Sequence, residues 1–341
     1  SRGGCIMIRG LESWLARLSD PDGVANHVLP ALAREQIDPL INLAIRHNVH
    51  LAVLRNLIDL AKSGTLQISG PGEGETAASA DLLQSLRDRR FAEVASNTVI
   101  ANAAREVMAT MDGLPLALVK GLDFAEGAYR GIDRRKFSDV DLLIDPSCET
   151  EVNARLAGLG YVLFEPKGKK IEQSERQWTR RGANTGLSLV EIHTDLVHDP
   201  KLRRKMTLTH DLYASADRGG VSNTARLLVA AVHGAASHLF GRLQYVVDGM
   251  MIARAGVDAN ELRTRTRETG ALLPLATMLR LAVEIYGCEA SATLLTNLGK
   301  TPAADLDRLL ISPSMVLAAK NRDRWRYLPQ RHLYRMLLTR H

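Results

Sequence analysis

The chain has 341 residues, 45% apolar and 24% charged, with a formal net charge of +6. That composition excludes a disordered or collagen-like chain, and the length suits two or three structural units. Cys5, Cys148 and Cys288 are odd in number and far apart, with no CxxC or Cys/His cluster. Neither a disulfide framework nor a zinc site is therefore expected, and a reducing, cytoplasmic setting is the simplest reading.

Residues 10–62 read as helices. In "IDPLINLAIRHNVHLAVLRNLIDLAKSG", Leu40, Leu43 and Ala44, then Leu51, Leu54, Leu57 and Ile58, recur at three- and four-residue spacing, with Gly64 as a stop. Residues 63–79 read as a loop. "GPGEGE" within it lacks the Gly-Lys-Ser/Thr of a phosphate-binding loop. A long helix is expected over 80–111. The texture then changes: "LPLALVKG", "DVDLLID", "YVLFEP", "RQWTRR" and "LSLVEIHTDL" read as strands, with helices at "FAEGAYR" and 148–160 and a turn at "GANTG". From 222 onward the pattern is helical again. Its most apolar stretch, "ARLLVAAVHGAASHLF", is interrupted by His233 and His238, so no membrane span is expected. The fold class expected is α+β: a small mixed β-sheet core at 112–215, an N-terminal helical region at 1–111, and a C-terminal helical domain at 216–341. The final residues 320–341 carry seven Lys/Arg against one Asp, which leaves the rest of the chain formally neutral. This tail reads as a solvated last helix with inward Leu, Tyr and Met, or as a contact for phosphates or nucleic acid.

The chemistry concentrates at "KFSDVDLLID". If 139–144 is a strand, Asp139 and Asp141 project to one face about 7 Å apart, while Val140 and Leu142 take the other. Two like charges so placed repel, and burial would raise their pKa values. They belong either to a solvated turn or to a site for a divalent cation such as Mg2+. An EF-hand loop is excluded, because Ile144 stands where glycine is required. A third carboxylate is available in Glu191, which alternation places on one strand face with Leu187, Leu189 and His193.

Taken together, "LPLALVKGLDFAEGAYRGIDRRKFSDVDLLID" and "LVEIHTDL" resemble the DNA polymerase β-like nucleotidyltransferase superfamily. More narrowly they resemble the bacterial group labelled uncharacterised nucleotidyltransferases. The resemblance rests on Lys120-Gly121, Arg134/Arg135, Ser138-Asp139-Val140-Asp141 and Glu191-Ile192-His193, and on a helical flank with His233, His238 and Asp248. It covers most of 30–255 and fades beyond 260.

The resemblance implies that Asp139, Asp141 and Glu191 form the catalytic set and hold two Mg2+ ions, with Mn2+ as a substitute. Lys120, Gly121, Ser138, Arg134 and Arg135 would bind the nucleotide. His193, His233, His238 and Asp248 would touch substrate or support the site. His193 reads equally as a core histidine, and Lys120 as a surface lysine. His233 and His238, five apart, fit one helix face poorly and suggest packing or substrate contact. The implied reaction moves a nucleoside monophosphate from an NTP, ATP by default, to a hydroxyl or phosphate of an acceptor: a small molecule, a protein side chain or an RNA end. The alternatives are a non-catalytic, antitoxin-like binding module and an RNA-binding protein acting through the tail.

Overall fold

The structure is a computed structural model and describes residues 10–24, 31–69, 76–77, 79–164, 175–182, 186–213, 221–299, 304–318 and 327–340. Cys5, "GPGEGE", the turn residues 183–185 and tail residues 319–326 and 341 lie outside the described residues.

Helix α1 (Leu11–Leu18) is followed by a short strand β1 (Leu32–Ala33), then α2 (Ile37–Arg46) and α3 (His50–Lys62). Gly64, at a φ of 69°, adopts the left-handed conformation expected of a helix stop. The segment expected as a loop contains β2 (Gln67–Ser69) and β3 (Thr76–Ala77), which complete a three-stranded sheet with β1. These strands are too short to show an alternating pattern. The long helix α4 spans Ala80–Thr110 and is capped by the Ser79 hydroxyl, which accepts from the Leu82 N–H.

The central block follows as β4 (Leu116–Val119), α5 (Gly121–Gly127), β5 (Val140–Ile144), α6 (Glu149–Gly158), β6 (Val162–Phe164), β7 (Glu175–Gly182) and β8 (Gly186–His193). Its strands form one mixed sheet in the order β4-β5-β8-β7-β6, with β5 and β8 parallel and the other neighbours antiparallel. The remaining described elements are helices: α7 (Pro200–Arg203), α8 (His210–Tyr213), α9 (Asn223–Val232), α10 (Gln244–Arg254), α11 (Ala259–Thr269), α12 (Leu272–Tyr286), α13 (Glu289–Leu298), α14 (Ala304–Leu310), α15 (Pro313–Leu317) and α16 (Leu328–Arg340). A single π-helical turn, His233–Ser237, joins the end of α9 to the reversal before α10. No described helix is long and apolar enough to cross a membrane.

Strand β5 is buried along its whole length, which explains why it reads as an aliphatic run. Val140, Leu142 and Ile144 pack with Val190 and Ile192 against α4 and α6. The opposite face carries Leu143, which joins Ala117, Val119 and the large helical core that includes α9, α10 and α12. Asp141 is two residues from Leu143, so alternation aims it at the helical body. The sheet is thus covered on both sides, and Asp141 of β5 with Glu191 and His193 of β8 take the face toward the helical body.

Candidate functional site

Strand register brings the acids together. In the parallel pair, Asp141 lies beside Glu191 and Leu143 beside His193; in the antiparallel pair, Glu191 lies beside Gln177 and His193 beside Glu175. Asp139 sits one residue before β5. The His193 Nε2 is 3.0 Å from the Asp141 Oδ1 and 3.7 Å from the Glu191 Oε2. The Gln177 amide donates to both Glu191 Oε1 (2.9 Å) and Glu175 Oε1 (3.1 Å). One ligand atom from each of Asp141, Glu191 and His193 fits within 4.8 Å of the others, and Glu175, His193 and His198 form a second such group beside it.

Crowding acids against the helical body has an electrostatic cost, and the three carboxyls share it unequally. Burial, then the charge of Asp141, pushes the Asp139 pKa up to about 6. Burial, then Asp141 and Asp139, pushes Glu191 up to about 8. Burial would also raise Asp141, but the Lys120 charge and the His193 and Lys120 hydrogen bonds hold it well below the carboxylate range. The Lys120 Nζ donates to Asp141 Oδ1 at 2.7 Å, and this attraction outweighs desolvation and keeps the ammonium charged. Lys120 is only 6% exposed, so the surface-lysine reading is wrong.

Lys120 caps the start of α5 with φ 57° and ψ −131°, a conformation usual for glycine. The next residue, Gly121, closely approaches the chain bearing the acids: an added Cβ would lie 3.4 Å from the Asp139 carbonyl oxygen and from Phe137 Cβ. That loop is pinned by Asn97 of α4, whose amide donates to the carbonyls of Ile132 (2.6 Å) and Arg135 (2.7 Å). Ser138 is exposed next to Asp139, with its hydroxyl 3.4 Å from Asp139 Oδ2.

The two arginines are not placed alike, and neither stands free at the carboxylates. Arg135 is buried in a two-pronged ion pair with Asp248 of α10, at 2.7 and 2.9 Å, and its Nη1 donates to the Gly121 carbonyl at 3.2 Å. The Tyr129 hydroxyl donates to the same Asp248 at 2.6 Å. Asp248 therefore ties the helical body to the α5 loop instead of bonding only within its own domain. Arg134 is half-buried, 3.5 Å from Asp22.

The five-residue spacing of His233 and His238 is resolved by the π-helical turn. In an α-helix residues five apart diverge, whereas the i→i+5 geometry of a π turn brings them together. The two rings sit 4.6 Å apart, and His238 stacks on Tyr245 at 4.8 Å. The His233 Nδ1 is buried with no hydrogen-bond partner among the described residues. Burial, then the nearby Lys120 charge, keeps this imidazole neutral well below its ordinary pKa. Leu239 and Phe240 both hold φ at 49°, a strained reversal kept in place by the fully buried Phe240 ring.

The family described as "Uncharacterised nucleotidyltransferase" matches residues 33–287. The chain belongs to this family. No curated protein matches it. The nucleotidyltransferase match extends past the point near 260 where the resemblance was expected to fade, and it takes in α12. It also spans Lys120-Gly121, the three acids, His233 and His238.

The residues present suit the divalent cation that a nucleotidyltransferase implies. Asp141 has already recruited a cation in Lys120, and Glu191, crowded by Asp141 and Asp139, is left with a proton that a divalent cation could replace. The imidazole of His193 adds a nitrogen that Mn2+ accepts more readily than Mg2+ does. Glu175, Gln177, His198 and Tyr245 were missed in the sequence. Glu175 and Gln177 alternate along β7, but the register that sets them opposite His193 and Glu191 is not readable from either strand alone.

Proposed function

We propose that the protein is a divalent-cation-dependent nucleotidyltransferase that moves a nucleoside monophosphate from an NTP, ATP by default, to an acceptor and releases pyrophosphate. The observation that carries this reading is the pairing of Asp141 with Glu191 on neighbouring strands, with Asp139 just ahead of β5 and a buried lysine on Asp141. Asp139, Asp141 and Glu191 would hold two Mg2+ ions, which would polarise the α-phosphate and lower the pKa of the attacking hydroxyl.

The chain's own groups supply the rest. Glu191, deprotonated once cations occupy the site, would help to take the acceptor proton as base. The acceptor oxygen bonds to the α-phosphorus in line, the bond to the β-bridging oxygen breaks, and pyrophosphate leaves with the electron pair. Lys120, released from Asp141, contacts the triphosphate together with Ser138. Arg135 takes no direct part: its guanidinium is engaged by Asp248 and by the Gly121 carbonyl, so it positions the loop. The clustered rings of His233, His238 and Tyr245 would form one wall of the site.

The test is incubation with Mg2+ and each α-labelled NTP, with and without cell extract. Transfer of label with release of pyrophosphate is expected, and its abolition in Asp139→Asn/Asp141→Asn. Undiminished transfer in that folded double variant would overturn the assignment. In parallel, an NTP with Mg2+ should raise the melting temperature of the wild type but not of the double variant.

A further inference from the structure

Glu175, His193 and His198 gather beside the carboxylates as a second group of ligand-bearing side chains. Its chemistry differs from that of Asp139, Asp141 and Glu191: two imidazoles and one carboxylate, where the first set is all oxygen. Three separate stretches of chain supply it, so no sequence spacing announces it. Glu175 opens β7 and lies opposite His193, which closes β8. His198 stands between β8 and α7, in a segment that is held firmly. Arg203 donates to the carbonyls of Val197 at 2.9 Å and His198 at 3.2 Å. Asp195 accepts from the N–H groups of Val197 at 2.8 Å and Leu208 at 3.2 Å.

The side chains stand at a spacing that an ion could close. The Glu175 Oε2 lies 3.3 Å from the His198 Nδ1, and one ligand atom from each of the three residues fits within 4.8 Å of the others. Ligand atoms on a tetrahedral Zn2+ stand about 3.3–3.5 Å apart, from metal distances of about 2.0–2.2 Å. The Glu175–His198 pair already has the length of one edge of such a site, and side-chain rotation would close the others. The second carboxylate oxygen of Glu175 accepts from the Gln177 amide at 3.1 Å, the outer support that ligating carboxylates receive. His193 has a nitrogen to give. Its Nε2 faces Asp141 and Glu191, whereas its Nδ1 is buried with no hydrogen-bond partner among the described residues. An unsatisfied ring nitrogen on a residue only 1% exposed calls for a ligand. The His198 and Glu175 side chains are 19% and 26% exposed, which gives an ion a path from solvent.

We propose that Glu175, His193 and His198 form a second cation site, selective for Zn2+ over Mg2+. Imidazole nitrogen suits zinc, whereas magnesium takes oxygen. A ligating imidazole commonly engages its other nitrogen elsewhere, so the site asks of His198 only Nδ1. The site stands whether or not the carboxylates transfer nucleotides. The two groups are joined, because the Gln177 amide that supports Glu175 also donates to Glu191 at 2.9 Å.

The full-length protein, stripped with EDTA and dialysed into excess Mg2+, is titrated with Zn2+ by calorimetry, and with Co2+ as an optical probe. One Zn2+ per chain should bind and displace Co2+. Affinity should fall about tenfold or more in His198→Gln and in Glu175→Gln, and the visible bands of Co2+ should change in both. Asp139→Asn/Asp141→Asn should bind Zn2+ as the wild type does. Binding lost in the aspartate variant but kept in the other two would place the ion among the first three acids and overturn the proposal. Equal binding in all four proteins would assign the ion to other histidines and overturn it too. So would the absence of Zn2+ binding under excess Mg2+, which would leave Glu175 and His198 as an ordinary ion pair. Melting temperatures in EDTA verify that each variant is folded; if one of the two ligand variants is not, the other decides.

Discussion

Lys120 combines two opposed contributions in one residue. Its backbone holds a glycine-like conformation, and its buried ammonium neutralises Asp141. Replacing it separates them. Lys120→Met should destabilise the cation-free protein by about 3–5 kcal/mol, because it strands a buried carboxylate. Lys120→Gly should cost less by about 1–3 kcal/mol, because it also relieves the backbone strain. Chemical denaturation in EDTA measures both; equal losses in the two variants would show that the conformation carries no strain. Glu191 gives a pH signature. Its folded pKa of about 8 lies above the ordinary value of 4.5, so between those values the native state holds a proton that the unfolded chain has released. Stability without divalent cation should therefore fall as pH rises from about 5 to about 8. Melting temperatures should decline across that window, and Glu191→Gln should flatten the decline.

At the scale of elements, the π turn does what an α-helix could not. It turns two residues five apart into neighbours and delivers Tyr245 to them. The turn depends on Gly234, where a Cβ would meet Phe240 Cε1 at 2.9 Å and Tyr245 Cβ at 3.1 Å. Gly234→Ala should cost about 1–3 kcal/mol by overpacking, seen in urea titrations. It should also impair turnover, because the wall of rings must shift. This turn was hidden in the sequence: a periodicity reading assumes 3.6 residues per turn, and on that wheel His233 and His238 point apart. The strand β5 was legible for the opposite reason. Its aliphatic residues fill both faces, and only charged Asp139 and Asp141 break the run. Alternation likewise put Glu191 with His193. The small sheet of β1, β2 and β3 left no periodic trace, since its strands run two or three residues.

On the scale of the whole molecule, two Arg–Asp pairs fasten the α/β core to the helical body. Arg135 grips Asp248, and Arg226 grips Asp123 at 2.7 Å, with the Tyr213 hydroxyl on the same acid at 3.0 Å. The Arg135 and Asp248 positions are 113 residues apart in the chain, so no local pattern could pair them. The α+β layout was readable from textures that change near 112 and again near 222, but the docking of those blocks was not. Asp248→Ala leaves a buried guanidinium unpaired and should cost about 3–5 kcal/mol. Because Arg135 also holds the Gly121 carbonyl, a milder Asp248→Asn should weaken MgATP binding as well. Thermal shift with and without MgATP separates the two effects, and a loss of stability with unchanged nucleotide affinity would make the clamp purely structural.

The lysine on Asp141 also bears on how an ion would arrive. A site of bare, buried acids must either protonate or hold its ion permanently. Here a tethered charge already sits on the most acidic of the three, so loading becomes a swap of one cation for another instead of the filling of a void. Net affinity is then the difference between two attractions, which favours modest binding and rapid exchange. On the proposed function, the site would fill where divalent cation is abundant, and the protein would remain folded where it is scarce.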